Sequence, residues 1–145
     1  MPPVLRTTLL SAAAVLAAGA ALAAEAAWVE LFKNPNATVS YRSLGPSPLD
    51  AKLVRVQVRG EFNQPQNVGG LPVRTQQNVY DIDCATRRVR RMQTIVSTEP
   101  GLAGQQRKED YTTEPWRTPT PGDTVSSQIV ARTCPAPATA APAAS

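Results

Sequence analysis

Residues 80–91 read YDIDCATRRVRR, and this stretch decides the fold. A run of alternating polar and apolar residues ends at Cys84, a short Ala-Thr-Arg segment follows, and alternation resumes from Val89 to Ser97. Alternation with a period of two predicts β-strands, so we interpret the stretch as the turn and two arms of a β-hairpin. In the second arm, four side chains are predicted to share one face: Arg90, Met92, Thr94 and Val96.

Alternating or β-branched runs recur on both sides of this hairpin. Four of them are predicted to be strands: residues 28–32, 37–42, 53–59 and 109–113. The first two flank Asn34-Pro35-Asn36, which is typical of a turn, and are predicted to form a hairpin. Prolines and glycines in residues 44–48 and 64–72 predict loops there.

The last periodic segment, TVSSQIVARTC, has the pattern of a helix. Asp123 precedes it and can accept hydrogen bonds at the helix start, and Ser126, Val130 and Cys134 fall on one stripe of its surface. Antiparallel strands followed by one helix predict an α+β fold: a small antiparallel β-sheet of about five or six strands with a C-terminal α-helix packed on one face.

Both ends of the chain differ in composition from this domain. Residues 1–23 combine Arg6, an alanine-rich apolar run and a terminal Ala-Leu-Ala site, which predicts a cleaved signal peptide. Residues 135–145 contain only Pro, Ala, Thr and Ser, which predicts a disordered tail. The folded domain is therefore predicted to span residues 28–134. Cleavage would remove one of 15 basic residues and none of the 11 acidic ones, so the mature chain is only mildly basic.

Export would carry both cysteines, Cys84 and Cys134, into an oxidising compartment. With two cysteines only one pairing exists, and the C-x-x-C spacing typical of redox pairs is absent. These observations predict a structural disulfide. Such a bond would tie the final helix to the strand that ends at Cys84.

The order and spacing of several short motifs resemble a known family. These are a tryptophan soon after the signal peptide, Ile82-Asp83-Cys84 at a strand end, Trp116 shortly before Pro121-Gly122, and a helix ending in Cys134. The chain resembles the surface-adhesin protein E family of bacterial envelope proteins. The resemblance implies a curved antiparallel sheet whose C-terminal helix is held to it by a Cys84–Cys134 disulfide. It also implies export to the periplasm or cell surface of a Gram-negative bacterium, and binding of host extracellular-matrix or plasma proteins.

Four arginines near the hairpin turn are the candidate partner-binding residues: Arg87, Arg88, Arg90 and Arg91. Their partner would be anionic, such as an acidic host protein or an envelope glycan, whereas export argues against nucleic acid. In a strand, Arg88 and Arg90 would face one way and Arg87 and Arg91 the other. The alternative is that these arginines form a cationic sheet edge that discourages aggregation.

Enzymatic chemistry has little support in the sequence. The chain contains no histidine, which removes the commonest general base and metal ligand, and we expect no catalytic residue, cofactor or metal. Asp81 and Asp83 would lie on one strand face about 7 Å apart, the spacing of a hydrolytic carboxylate pair. The simpler interpretation is that they are the polar face of a half-buried strand, paired with nearby arginines.

These observations favour an exported, non-enzymatic binding protein that does not span a membrane. The adhesin hypothesis competes with that of a periplasmic accessory or structural protein that has no host ligand. Trp28 and Trp116 are expected to pack on the core or sheet. An exposed sheet edge would allow a homodimer.

Overall fold

The computed structural model describes residues 26–111 and 114–137. Six strands form one antiparallel sheet in chain order, and a single α-helix follows the last strand in the described part of the chain. The elements are β1 (Val29–Lys33), β2 (Ala37–Pro46), β3 (Val54–Val68), β4 (Leu71–Asp83), β5 (Arg88–Ser97), β6 (Gln106–Asp110) and α1 (Thr124–Thr133), with a 3₁₀ turn at Pro100–Leu102. The predicted α+β class is confirmed.

The core lies between one face of the sheet and α1. Alternation in β3 turns Val56 and Val58 toward the helix, where they are almost completely buried. The core cluster consists of Leu31, Val39, Val56, Val58, Tyr80, Ile82, Val89, Ile129, Val130 and Cys134. We call this the helix side of the sheet.

The helix starts and ends as its sequence predicts. A carboxylate oxygen of Asp123 accepts a hydrogen bond from the Ser126 amide at 3.1 Å, which satisfies one of the free amides of the first turn. At the other end, Cys134 forms a disulfide with Cys84, and the two Cα atoms are 5.3 Å apart. The predicted disulfide is confirmed, and it joins the end of the helix to the end of β4.

The loop predicted over residues 64–72 is wrong. β3 and β4 continue through it and meet at Gly69-Gly70, whose φ angles of 57° and 83° suit a two-residue hairpin turn. Pro65 lies in a register irregularity, and β2 pairs with β3 only as far as Phe62. The prolines are tolerated because this end of the hairpin extends beyond the residues that pair with β2 and β5, so an amide facing away from the hairpin has no neighbouring strand to bind.

The predicted shared face in β5 is also wrong. Tyr80 pairs with Arg91 and Val79 pairs with Gln93, so Met92 is an extra residue in the β5 ladder. This bulge shifts the side-chain alternation by one residue. Arg90 consequently lies on the opposite face from Thr94 and Val96.

Several other predictions concern the ends of the chain or a membrane. The predicted signal peptide, residues 1–23, lies outside the described residues, as does most of the predicted tail, residues 135–145. At ten residues, α1 is much shorter than the roughly 20 needed to cross a bilayer. The described part of the chain contains no helix suited to spanning a membrane.

Candidate partner-binding surface

The structure separates the four predicted arginines. Arg88 and Arg90 both approach the ring of Trp116, with guanidinium carbons 5.9 Å and 4.7 Å from its centroid. Arg91 points to the helix side, where it forms a 3.1 Å ion pair with Glu114. Arg87 lies in the turn with a φ of 53° and donates a hydrogen bond to the carbonyl oxygen of Pro135. The predicted division of Arg88 and Arg90 from Arg91 is confirmed.

The sheet face opposite α1 gathers further arginines beside Arg88 and Arg90. Because the valines of β3 face the helix, the intervening arginines of that strand face away from it. Asp81 pairs with Arg55 on one side and with Arg90 on the other, so three strands contribute to one surface. We call this surface the open face, and its arginines are Arg42, Arg55, Arg59, Arg88 and Arg90.

Two tryptophans lie at opposite ends of the open face. Trp28 contacts Arg42 and Arg59, whose guanidinium carbons are 4.7 Å and 4.4 Å from its ring centroid. Trp116 makes the corresponding contact with Arg90. Both rings therefore pack on the sheet and lie outside the core cluster. Such cation–π stacking holds flat guanidinium groups in fixed orientations.

The charges of the open face are unequally neutralised. Arg55 is held by two hydrogen bonds to the buried carboxylate of Asp81, at 2.8 Å and 3.0 Å. Arg59 instead donates twice to the neutral amide oxygen of Gln77. Among the residues described, neither Arg59 nor Arg90 has a carboxylate within salt-bridge distance. The open face therefore contains two oriented positive charges without an acidic partner in this part of the chain.

The two aspartates of the hypothetical carboxylate pair have structural roles. Asp81 is completely buried and accepts hydrogen bonds from Arg55 and from the hydroxyl of Ser47. Asp83 accepts hydrogen bonds from the amides of Ala85 and Thr86 and from the Thr86 hydroxyl. The hydroxyl hydrogen bond is the main reason that the pKa of Asp83 is lowered. The geometry thus supports the interpretation of a polar strand face paired with arginine.

Across residues 26–111 and 114–137, no group of three or more His, Cys, Asp or Glu side chains is arranged to hold a metal ion. The side chains that distinguish the open face are its arginines and the two tryptophans that contact them.

Sequence reasoning did not identify Arg42, Arg55 and Arg59 as part of the surface. The alternation of β3 does place Arg55 and Arg59 on the face away from the valines. Their proximity to Arg90 depends on the register of β3, β4 and β5 and on the bulge at Met92, and neither can be read from spacing alone.

Comparison with known proteins gives one informative match. The family model described as surface-adhesin protein E matches residues 28–135, most of the chain. No curated protein and no solved structure shows significant similarity to the chain. The matched segment contains the whole sheet, α1 and both cysteines.

Proposed function

The chain belongs to the surface-adhesin protein E family, and from this we propose that it is an exported, non-enzymatic adhesin that binds acidic surfaces of host proteins through its open face. The family description supports adhesion as the role. The open face supports this surface as the binding site, because arginine and tryptophan are among the residue types most enriched at binding hot spots. The mildly basic balance of the chain would favour encounters with acidic partners.

The observation that carries the proposal is that Arg59 and Arg90 are held in place by uncharged groups. Both guanidinium groups are oriented by neutral neighbours, Gln77 and Trp28 for Arg59 and Trp116 for Arg90. Holding an arginine in place before binding reduces the entropy lost when it meets a carboxylate, and a bidentate pair adds geometric specificity. A partner carboxylate would supply the charge that the described residues do not.

We expect the double variant Arg59→Gln/Arg90→Gln to bind immobilised extracellular-matrix and plasma proteins at least tenfold more weakly than the unaltered mature protein. Ten-fold corresponds to about 1.4 kcal/mol, a modest loss for two interface arginines. Surface plasmon resonance at two salt concentrations measures the effect. The loss should lie partly in the association rate, and raising the salt should weaken the unaltered protein more than the variant.

The matched control is Arg117→Gln/Arg132→Gln, which removes two positive charges outside the open face. Arg117 pairs with Asp123, and Arg132 is exposed on the last turn of α1. This control should bind like the unaltered protein. If both double variants lose affinity equally, net charge rather than the open face governs binding and the proposal is wrong. Soluble heparin serves as a competitor, and binding to heparin alone would favour an anionic glycan over a protein partner.

A further inference from the structure

A recess lies on the helix side of the sheet, next to the first turn of α1. It is a cavity of about 380 Å³, within the range of small-molecule sites. Its apolar walls come from two strands and the first turn of the helix, through Val39, Val58, Phe62 and Val125. We call it the helix-side cavity. It shares no residue with the arginines of the open face.

Three neutral polar side chains converge in this cavity: Gln76, Asn78 and Tyr80. The oxygen of the Asn78 amide accepts a hydrogen bond from the Thr94 hydroxyl at 2.6 Å, which leaves its NH₂ group as a donor. Within the described part of the chain, the Tyr80 hydroxyl, the Gln76 amide and the Asn78 NH₂ group make no hydrogen bond. Burial raises the pKa of Tyr80, so its phenol stays protonated at neutral pH.

The charges around the cavity cancel in pairs. The charged groups that act on the Tyr80 hydroxyl are Arg91, Arg117, Asp123 and Glu114. Arg117 and Asp123, which themselves line the cavity, form one ion pair at 3.3 Å, and Arg91 and Glu114 form another at 3.1 Å. With both signs paired, the cavity has no excess charge to recognise an ion. It fits an uncharged ligand.

The chemistry of the lining restricts that ligand further. A hydrocarbon would leave two amides and a phenol unpaired in a partly desolvated site, which costs affinity. A ligand with several hydroxyl groups could both donate to and accept from these groups. The rings of Phe62 and Tyr80 offer apolar surface to a face made of C–H groups. Neutral sugars combine these properties.

We propose that the helix-side cavity binds a neutral sugar unit of a glycan. This site is separate from the open face and does not depend on the function proposed above. Because the two surfaces lie on opposite sides of the sheet, an acidic protein and a sugar could be bound at the same time.

Gly60 lies on the cavity lining and makes a selective test possible. A Cβ atom at this position would lie 3.9 Å from a ring carbon of Phe62 and 4.0 Å from a methyl carbon of Val39, which is ordinary contact. Glycine within a strand normally weakens it, and often marks a place where another group approaches closely. Gly60→Ala should therefore narrow the cavity without straining the strand.

The experiment titrates isotope-labelled mature protein with methyl glycosides of glucose, galactose, mannose and N-acetylglucosamine, up to about 50 mM, and follows backbone amides by NMR. We expect at least one sugar to give saturable shifts at Gly60, Gln76 and Asn78, with a Kd of about 10 mM or below. Gly60→Ala and Tyr80→Phe should each weaken this binding at least fivefold. The melting temperature of Gly60→Ala should be no lower than that of the unaltered protein. The open-face variant Arg59→Gln/Arg90→Gln should bind the sugar normally.

Two results would overturn the proposal. One is that none of the four glycosides gives saturable shifts at these amides. The other is that binding is unchanged in both Gly60→Ala and Tyr80→Phe, which would place the sugar elsewhere. Methyl glucuronide, in which a carboxylate replaces the C6 hydroxymethyl group of methyl glucoside, should bind more weakly than that glucoside, and stronger binding would contradict the charge argument.

Discussion

Replacing Cys84 and Cys134 together with alanine is expected to lower the melting temperature by about 15 °C or more. The two cysteines are 50 positions apart, and closing a loop of that length stabilises a chain by about 4 kcal/mol in the entropic model. The closed loop contains β5, β6 and the whole of α1. Without the bond, the C-terminal segment would be held to the sheet by the packing of α1 and by non-covalent contacts such as the backbone hydrogen bonds between Val89 and Arg117.

Differential scanning calorimetry measures this change. The unaltered mature protein in excess dithiothreitol is the matched comparison, because it loses the same bond without any substitution. Both samples should melt at similar, lowered temperatures. If the double variant melts at the same temperature as the oxidised protein, the buried contacts of Ile129 and Val130 are sufficient and the disulfide is not a main source of stability.

The second large effect is expected for Asp81→Ala, with a loss of about 3 kcal/mol in the free energy of unfolding. Removing one partner of a buried ion pair leaves the other charge uncompensated, which typically costs 3–5 kcal/mol. Arg55 retains 19% of its side-chain exposure, so water can partly solvate it and we expect the lower end of that range. Ser47 also loses its acceptor. Urea unfolding at neutral pH measures the change.

Asp83→Asn is the matched control, two residues along the same strand. Asparagine keeps an oxygen that can accept from the amides of Ala85 and Thr86, so we expect a loss of less than about 1 kcal/mol in the free energy of unfolding.

Since the pKa of Asp83 is lowered in the folded state, its ionised form contributes stability above the ordinary pKa of the group. This contribution is lost as the pH falls through the lowered value. The difference in the free energy of unfolding between Asp83→Asn and the unaltered protein should therefore become smaller in strong acid, which urea unfolding at low pH measures.

The same pair of variants separates structure from catalysis. The hydrolase hypothesis requires that Asp83→Asn abolish an activity while leaving the melting temperature intact. The structure also predicts little change in the melting temperature of Asp83→Asn and severe destabilisation only for Asp81, so loss of an activity in Asp83→Asn is the result that would distinguish the hydrolase hypothesis. Equal destabilisation by both substitutions would contradict the view that Asp81 alone is a buried structural carboxylate.

Much of the fold could be predicted because local signals agreed with one another. The alternation in residues 53–59, Asp123 before the helix, and the stripe that ends at Cys134 each depend on neighbours close in sequence. The disulfide followed from there being two cysteines. The β3–β4 hairpin was missed because its prolines indicate a loop, and they are compatible with strands only where those strands lack a second neighbour.

The open face was less predictable, for a different physical reason. Its arginines come from β2, β3 and β5, and their proximity depends on pairing between strands. Strand alternation predicted that Arg88 and Arg90 face away from Arg91, but it could not show which arginines of other strands lie beside them. The bulge at Met92 then set which face Arg90 occupies. Sequence alternation describes one strand at a time, whereas a surface is built by several.

Display on the cell surface is the central claim, and protease accessibility on intact cells tests it most directly. Cells are treated with a protease too large to cross the outer membrane, and the protein is then probed beside a known periplasmic protein. Lysed cells treated in the same way show that the folded protein can be digested at all. Surface display predicts that the protein is digested on intact cells while the periplasmic control survives. Survival of both on intact cells, with digestion of both after lysis, would contradict the adhesin proposal and identify a periplasmic protein instead.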